Sequence, residues 1–389
     1  MVRVCMAATT FPRWAGDGEG AFVWGLAHAL VQQGAEVRVV ALHSPGAATH
    51  EVIDGVEVLR PRYWWPEHQE SLRRGGGGLP VTLRDYPFAR VQLPGFLAVY
   101  SRAVAKVARA CDVLHAQWTL SGAVGLLTRW RHQRPIVVTV QGSDVYQIPT
   151  LPLGGTFTRW VLTNCQQVTA LSTSLQGAAA AAGIARERVA VIPNGVDVGA
   201  LGVPASYGGR EPVLLFVGYL IERKGVRYLL EAAPAILARH PNLRIVLIGK
   251  GPEEQRLREQ AEALGIAGSV AFVGFLPHAE VIEWMQRSLL LVLPSVEEGQ
   301  GAVLLEALAA GTPVVGSDVD GIAEVITPQV GRLFPVADSS ALAVEVNDLL
   351  AAPTCWQQAS DAARSLALAT YDWRVLAQRY LALYGALSK

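Results

Sequence analysis

The stretch Pro294-Ser295-Val296-Glu297-Glu298-Gly299-Gln300-Gly301-Ala302-Val303-Leu304-Leu305-Glu306-Ala307 combines the residue types that an anionic, polyhydroxylated ligand needs. It follows an apolar run and leads into an apolar helix. Glycines at a strand-to-helix turn let the backbone come close to a ligand. The first N–H groups of the helix point outward at its positive end, which makes an anion site. Glu298 lies in the turn and Glu306 two helical turns on, with seven residues between them. The two carboxylates are placed to hydrogen-bond different hydroxyls of one extended ligand whose phosphate sits at the helix start. A pair of capping or solvated acids has the same spacing, and these residues alone leave both readings open.

The elements that must position such a site follow from the apolar pattern. Short β-rich runs alternate with longer helical stretches, as in a parallel sheet covered by helices. In the first half, strands are expected at 2–7, 37–42, 113–115, 136–140, 168–171 and 189–192. A helix near 20–33 carries Phe22, Val23, Leu26, Ala27, Leu30 and Val31 on one face, and Gly34 stops it. After Pro193-Asn194-Gly195-Val196-Asp197 the alternation restarts, with strands expected at 213–217, 244–248, 270–273, 289–293 and 314–316. Residues 199–212, rich in Gly, Pro, Ser and Ala, read as a linker. The expected organisation is two doubly wound α/β domains, 1–200 and 201–370. An amphipathic helix over 371–389 either ends the second or packs back on the first.

Composition narrows the class. Of 389 residues, 51% are hydrophobic and 17% charged, which excludes intrinsic disorder. Lys+Arg and Asp+Glu each number 33, so nucleic-acid binding by general electrostatics is excluded. The neutrality hides an asymmetry: residues 1–200 hold 18 basic and 13 acidic side chains, and 201–389 hold 15 and 20. Either this is chance unevenness, or a mildly basic half faces an anionic acceptor or membrane surface. Cys5, Cys111, Cys165 and Cys355 are far apart, which fits neither a disulfide framework nor a zinc site but fits a reducing compartment. The N-terminus reads as a buried strand rather than a secretory leader. No apolar run approaches the ~18–20 residues a bilayer span needs. The expectation is a cytoplasmic protein, soluble or peripheral at the inner membrane face through its N-terminal half.

Residues 61–95 break the alternation, with Tyr63-Trp64-Trp65, then Arg73-Arg74 and four glycines, Gly75 to Gly78, before Pro80. A long irregular segment is expected there: either a flexible surface insertion, or a loop whose aromatic and arginine residues choose the acceptor.

The whole series resembles the retaining glycosyltransferases of family 4 and their E-x7-E motif. Asp17-Gly18-Glu19-Gly20 with the helix after it is similar to the family's opening glycine loop. His115-Ala116-Gln117-Trp118 and Val138-Thr139-Val140-Gln141-Gly142-Ser143-Asp144 resemble two later motifs, and Ile192-Pro193-Asn194-Gly195-Val196-Asp197 the interdomain segment. Phe216-Val217-Gly218-Tyr219-Leu220 with Arg223-Lys224-Gly225 looks like the phosphate loop. Phe272-Val273-Gly274-Phe275-Leu276-Pro277 and Gly311-Thr312-Pro313-Val314-Val315 complete the order.

The resemblance implies a GT-B fold, two Rossmann-like doubly wound parallel-sheet domains facing a central cleft, with the nucleotide sugar on the second domain and the acceptor on the first. It implies that Glu306 binds the ribose hydroxyls and Glu298 those of the donor sugar. Lys224 would neutralise the diphosphate with the turn at Gly299 and the amides of Gly301, Ala302 and Val303, and Gly18 would approach the same diphosphate. Backbone groups around Phe275 and Leu276 would read the base. Charge develops on the departing diphosphate, so cations and oriented amides there lower the barrier.

Three residues depart from the family pattern. Tyr219 stands where an arginine is usual, which removes a positive charge that Arg223 is the candidate to replace. Gln117 and Gln141 stand where histidines are common; glutamine donates hydrogen bonds but does not titrate. His115 either orients its neighbours or packs at a strand end. Asp144 either contacts acceptor or sugar, or caps the turn. Asp318-Val319-Asp320 has a metal-binding D-x-D spacing but reads as a surface turn.

The implied activity is metal-independent, retaining transfer of a sugar from a UDP- or GDP-sugar to a hydroxyl of a carbohydrate, lipid-linked or small-molecule acceptor, without a cofactor. Lys224, Glu298 and Gln117 are the candidate catalytic residues, and Gln141 a candidate acceptor contact. A non-catalytic nucleotide-binding subunit and a nucleotide-sugar epimerase are the alternatives.

Overall fold

The computed structural model describes residues 1–14, 17–74 and 78–387. It divides into two units: Met1–Pro193 together with Trp373–Lys389, and Asn194–Asp372.

The first unit is built on eight strands: β1 (Arg3–Ala8), β2 (Glu36–Ala41), β3 (His50–Ile53), β4 (Val56–Leu59), β5 (Val113–Gln117), β6 (Ile136–Val140), β7 (Gln167–Ala170) and β8 (Val189–Val191). Their order is β3-β4-β2-β1-β5-β6-β7-β8, parallel except for the β3–β4 hairpin. Val4, Met6 and Ala8 of β1 enter one apolar cluster and Cys5 and Ala7 another, because alternate residues of a strand face opposite sides. A sheet covered on both faces needs unbroken apolar strands, as in β5 and β6, where every residue is buried. The helix Trp373–Leu387 packs on the Val4 face and buries Leu376, Tyr380 and Tyr384 there. Gly25 lets it approach the helix Ala21–Gln32: a Cβ at Gly25 would lie 2.4 Å from Trp373 Nε1.

The second unit holds β9 (Glu211–Val217), β10 (Arg244–Ile248), β11 (Val270–Gly274), β12 (Ser288–Leu293), β13 (Val314–Ser317) and β14 (Gly331–Phe334). All neighbours are parallel in the order β11-β10-β9-β12-β13-β14. Counted within the unit this is the 3-2-1-4-5-6 order of a Rossmann sheet. The order reverses between β9 and β12, and in such sheets ligands bind at the carboxyl ends of the strands beside that point.

Three expectations need correction. The boundary lies at Pro193/Asn194 rather than near 200, since Val196 N donates to Tyr371 O at 2.9 Å within the second unit. The expected linker is bound to that unit: Arg364 donates to the carbonyls of Val198 and Leu201, and the buried Arg210 donates to those of Met285 and Ala310. Its small residues allow tight turns, and arginines satisfy the carbonyls that those turns leave open. The irregular segment at 61–95 is largely helical, with α-helices at Gly78–Asp85 and Pro87–Arg109. Pro87 starts the second without cost because the first turn needs no amide donor, and Phe96, Tyr100 and Val104 bury its apolar face. Of the four glycines, Gly75 to Gly77 lie outside the described residues.

Candidate active site

In the second unit, the loops after β9 and β12 are locked together. The β9 loop ends in a 3-10 turn, Glu222–Lys224, followed by Gly225 at φ +64°. A Cβ on Gly225 would lie 1.9 Å from the carbonyl oxygen of Pro294, so only glycine lets the loops meet here. Val296 N donates to Arg223 O at 2.8 Å. Lys224 Nζ then reaches the Glu298 carboxylate, the two side chains 14% and 12% exposed. The other Glu298 oxygen accepts the Gly299 amide at 3.2 Å. Gly301, at φ +70°, opens the helix Ala302–Ala309, with Ala302 exposed and Val303 half-buried at its start. The buried Gln300 accepts the Asn194 amide at 2.9 Å and so fixes the turn between the two glycines.

Glu306 is held from a third loop. His278 Nε2 lies 2.9 Å from Glu306 Oε1. This hydrogen bond raises the His278 pKa against the opposing effect of burial. Phe275, strongly exposed, and Leu276, half-buried, precede His278 in the loop after β11, so this pair brings that loop to Glu306. Tyr219 is exposed in the β9 loop; Arg223 contributes its carbonyl to the loop junction, and its side chain is exposed.

In the first unit, β5 and β6 end in a glutamine pair. Gln141 Nε2 donates to Gln117 Oε1 at 2.9 Å, and Gln117 Nε2 lies 3.2 Å from His115 Nε2. His115 is buried between Thr139 Oγ1 at 2.7 Å and the Tyr384 hydroxyl at 2.6 Å. Burial brings its pKa down to about 3, so the imidazole is neutral and orients Gln117. Asp144 is fully buried, and its Oδ1 accepts the Gln141 and Gly142 amides at 3.0 and 2.9 Å. It caps the turn that presents Gln141. Burial raises its pKa to about 6 against the lowering effect of those amides.

Trp118, the residue after Gln117, has φ +81°, a strained value for a bulky side chain. Trp118 N donates to Thr139 O at 3.0 Å and its indole to Ser143 Oγ at 3.1 Å, which hold it there. Gly18 is exposed with open space where a Cβ would stand; the turn depends instead on Gly20, at φ +79°, whose Cβ would lie 2.7 Å from Phe11 backbone atoms. Asp17 fixes this loop. Burial opposes its ionisation, but hydrogen bonds from Arg13 and from the Glu19 amide bring its pKa down to about 2. Arg73 is likewise engaged, with Glu19 at 2.9 Å and the Phe11 carbonyl at 2.9 Å.

Two family models match this chain in succession: Glycosyltransferase Family 4 over residues 16–199 and Glycosyl transferases group 1 over residues 206–366. The chain belongs to this glycosyltransferase family. A phosphatidyl-myo-inositol mannosyltransferase of Mycobacterium leprae is 29% identical over 95% of this chain and 93% of its own. A glycogen synthase of Mycobacterium tuberculosis is 34% identical over 52% of this chain, a match that spans about half (49%) of that enzyme. Among solved structures, sucrose-phosphate synthase from Thermosynechococcus elongatus superposes with a TM-score of 0.78 at 21% identity, covering 100% of this chain and 99% of its own. Anabaena HepE in complex with UDP superposes with a TM-score of 0.73 at 20% identity, both chains fully covered. At such identities the likeness is one of fold, and the fold is GT-B.

Within this glycosyltransferase, the E-x7-E glutamates are thus engaged by two different loops, Glu298 by Lys224 and Glu306 by His278. Sequence reasoning missed His278, although it directly follows the Phe272-to-Pro277 motif, and it missed the strain at Trp118. Asp318 and Asp320 are exposed, and Asp320 opens a four-residue helix, Asp320–Ala323, rather than a turn. Among the described residues no three His, Cys, Asp or Glu side chains converge to hold a metal ion. No helix among them is long and apolar enough to cross a membrane.

Proposed function

We propose that this protein transfers a sugar, with retention of configuration and without a metal, from a UDP- or GDP-sugar to an acceptor hydroxyl. The observation that carries this reading is the junction of the β9 and β12 loops, where Lys224 and Glu298 pair beside the start of the helix Ala302–Ala309. A cation beside the first amides of a helix supports a diphosphate bound there, and the carboxylate supports sugar hydroxyls next to it. Glu306, oriented by His278, takes the ribose hydroxyls. Neighbours of the same fold were solved with UDP and with UDP-glucose, which supports a nucleotide-sugar donor.

In this reading Lys224 and the amides of Ala302 and Val303 stabilise charge on the leaving diphosphate, which is where charge grows as the glycosidic bond breaks. Gln117 and Gln141 position acceptor hydroxyls by hydrogen bonding. His115 is neutral and fully engaged, and Asp144 is buried in its cap, so neither is placed to act as a base. The acceptor proton therefore passes to the leaving phosphate on the same face of the sugar, and the configuration is retained. Turnover against a panel of UDP- and GDP-sugars, with the anomeric configuration of the product read by NMR, tests this. An inverted product, or a glycosyl-enzyme adduct trapped in mass spectrometry, would refute the same-face mechanism.

A further inference from the structure

An open groove of about 890 Å³ lies in the first unit, between the C-terminal ends of the helices Pro87–Arg109 and Thr119–His132. Each helix leads into the parallel strand that follows it, so the groove sits where β5 and β6 begin, at the opposite strand ends from Gln117 and Gln141. One wall carries Arg102, Lys106 and Arg109, at helical positions i, i+4 and i+7 on a single face. The other carries Trp130, Arg131 and Arg134. Among the described residues, no carboxylate forms a salt bridge with any of these five cations. Asp112, nearby, is engaged by Arg3 at 2.6 Å, and Arg134 adds to the charge that keeps it ionised.

Cations in the last turn of a helix offset its dipole, and that alone accounts for Arg109 and Arg131. It does not account for Arg102, seven residues before the end of its turn-by-turn stripe, because the dipole effect fades within one turn. Nor does it account for Trp130, whose indole is 70% exposed with the Arg131 guanidinium 4.4 Å from the ring centroid. The stripe from Arg102 to Arg109 runs ~10 Å along the helix axis. Forked guanidiniums match carboxylate, sulfate and phosphate groups bidentately, and an exposed indole offers a face to a pyranose ring. A concave groove also fits a chain better than it fits a flat bilayer.

We propose that this groove binds an anionic glycan, a sugar chain bearing carboxylate, sulfate or phosphate groups, at a site separate from the transfer site. Such a site holds the glycan to the enzyme between additions. The proposal goes beyond the donor assignment, and because binding needs no turnover, it stands or falls separately from it.

Calorimetry with the full chain tests it, using oligogalacturonate and heparin oligosaccharides against neutral maltooligosaccharides. The acidic oligosaccharides should bind, the neutral ones should not, and Arg102→Glu/Arg131→Glu should weaken binding at least tenfold. UDP affinity should stay unchanged in that variant, since neither residue lies in the donor site, and thermal unfolding should stay unchanged in the single variant Arg102→Glu, which leaves the helix ends as they are. Trp130→Ala should weaken the acidic oligosaccharides severalfold but leave inorganic polyphosphate, which has no ring to stack, unaffected. Equal binding by wild type and the double-glutamate variant would overturn the proposal. So would an indifferent Trp130→Ala, which would reduce the groove to unspecific charge. Binding to phosphatidylglycerol vesicles without binding to acidic oligosaccharides would assign the face to a membrane instead.

Discussion

Lys224 has two separable tasks, and replacing it by methionine exposes both. In the free protein it neutralises Glu298 at a place where that carboxylate is only 12% exposed. Removing one partner of a buried pair costs ~3–5 kcal/mol because the other charge is left uncompensated. The residual exposure and the Gly299 amide, 3.2 Å from Glu298, bring the expected loss to about 2–3 kcal/mol. For a urea slope of ~2 kcal/mol/M this moves the unfolding midpoint of the second unit down by about 1–1.5 M. In turnover, the lost cation no longer faces the developing diphosphate charge, worth about 100- to 1,000-fold in rate. The double variant Lys224→Met/Glu298→Gln separates the tasks. It should recover most of the stability, since no buried charge is left unpaired, and none of the rate. Urea unfolding followed by far-UV circular dichroism reads the first quantity, and initial rates at saturating donor read the second. A double variant as unstable as the single one would refute the pairing argument. Unchanged turnover in Lys224→Met would remove the residue from the transfer step.

Gly225→Ala should uncouple the two donor loops, because the new methyl meets the Pro294 carbonyl at 1.9 Å in a left-handed conformation that itself costs ~1–2 kcal/mol. Turnover should fall more than tenfold while the first unit unfolds as before, and a crystal structure of the variant should show the Val296–Arg223 hydrogen bond broken. The pKa of His278 is raised in the fold, so its stabilising contact with Glu306 is complete below about pH 6.5 and is lost as pH rises through the raised value. UDP affinity by calorimetry should therefore weaken over that window, and His278→Gln should flatten the profile. Asp144, raised to about 6 from 3.8, contributes stability that is full below pH 4 and lost as pH rises through 6, a difference of about 3 kcal/mol. Unfolding of Asp144→Asn between pH 4 and 7 should lack this decline.

What was legible in the sequence, and what was not, has physical reasons. The buried strands were placed within two residues because strands covered on both faces have to be continuous apolar runs, as at 136–140 and 244–248. β14 was missed, and so was the β3–β4 hairpin, because these strands are four residues each and only partly buried, so the apolar pattern is weak. The hairpin's turn was nonetheless written in Asp54-Gly55, both with positive φ, a pairing that two-residue hairpins require. The helix from Pro87 was hidden by prolines and by the glycines before it, since composition does not show that Pro87 falls in a first turn and that Pro94 is tolerated inside. At the site, Lys224, Glu298 and Glu306 were named from motif order. Their partners depend on side chains that meet only in space, which is why His278 and the Tyr384 contact to His115 could not be read.

That contact ties the order of synthesis to the first unit. Tyr384 is separated from His115 by the whole of residues 194–372. A ribosome therefore completes the second unit, whose residues are contiguous, before the helix that closes the Val4 face of the first has been made. Until that helix docks, His115 has no Tyr384 partner and the apolar residues facing Leu376 and Tyr380 stay open to water. The N-terminal half thus waits during translation with that sheet face covered only by the helix Ala21–Gln32, a natural client surface for a chaperone, while the half synthesised after it is already competent to fold.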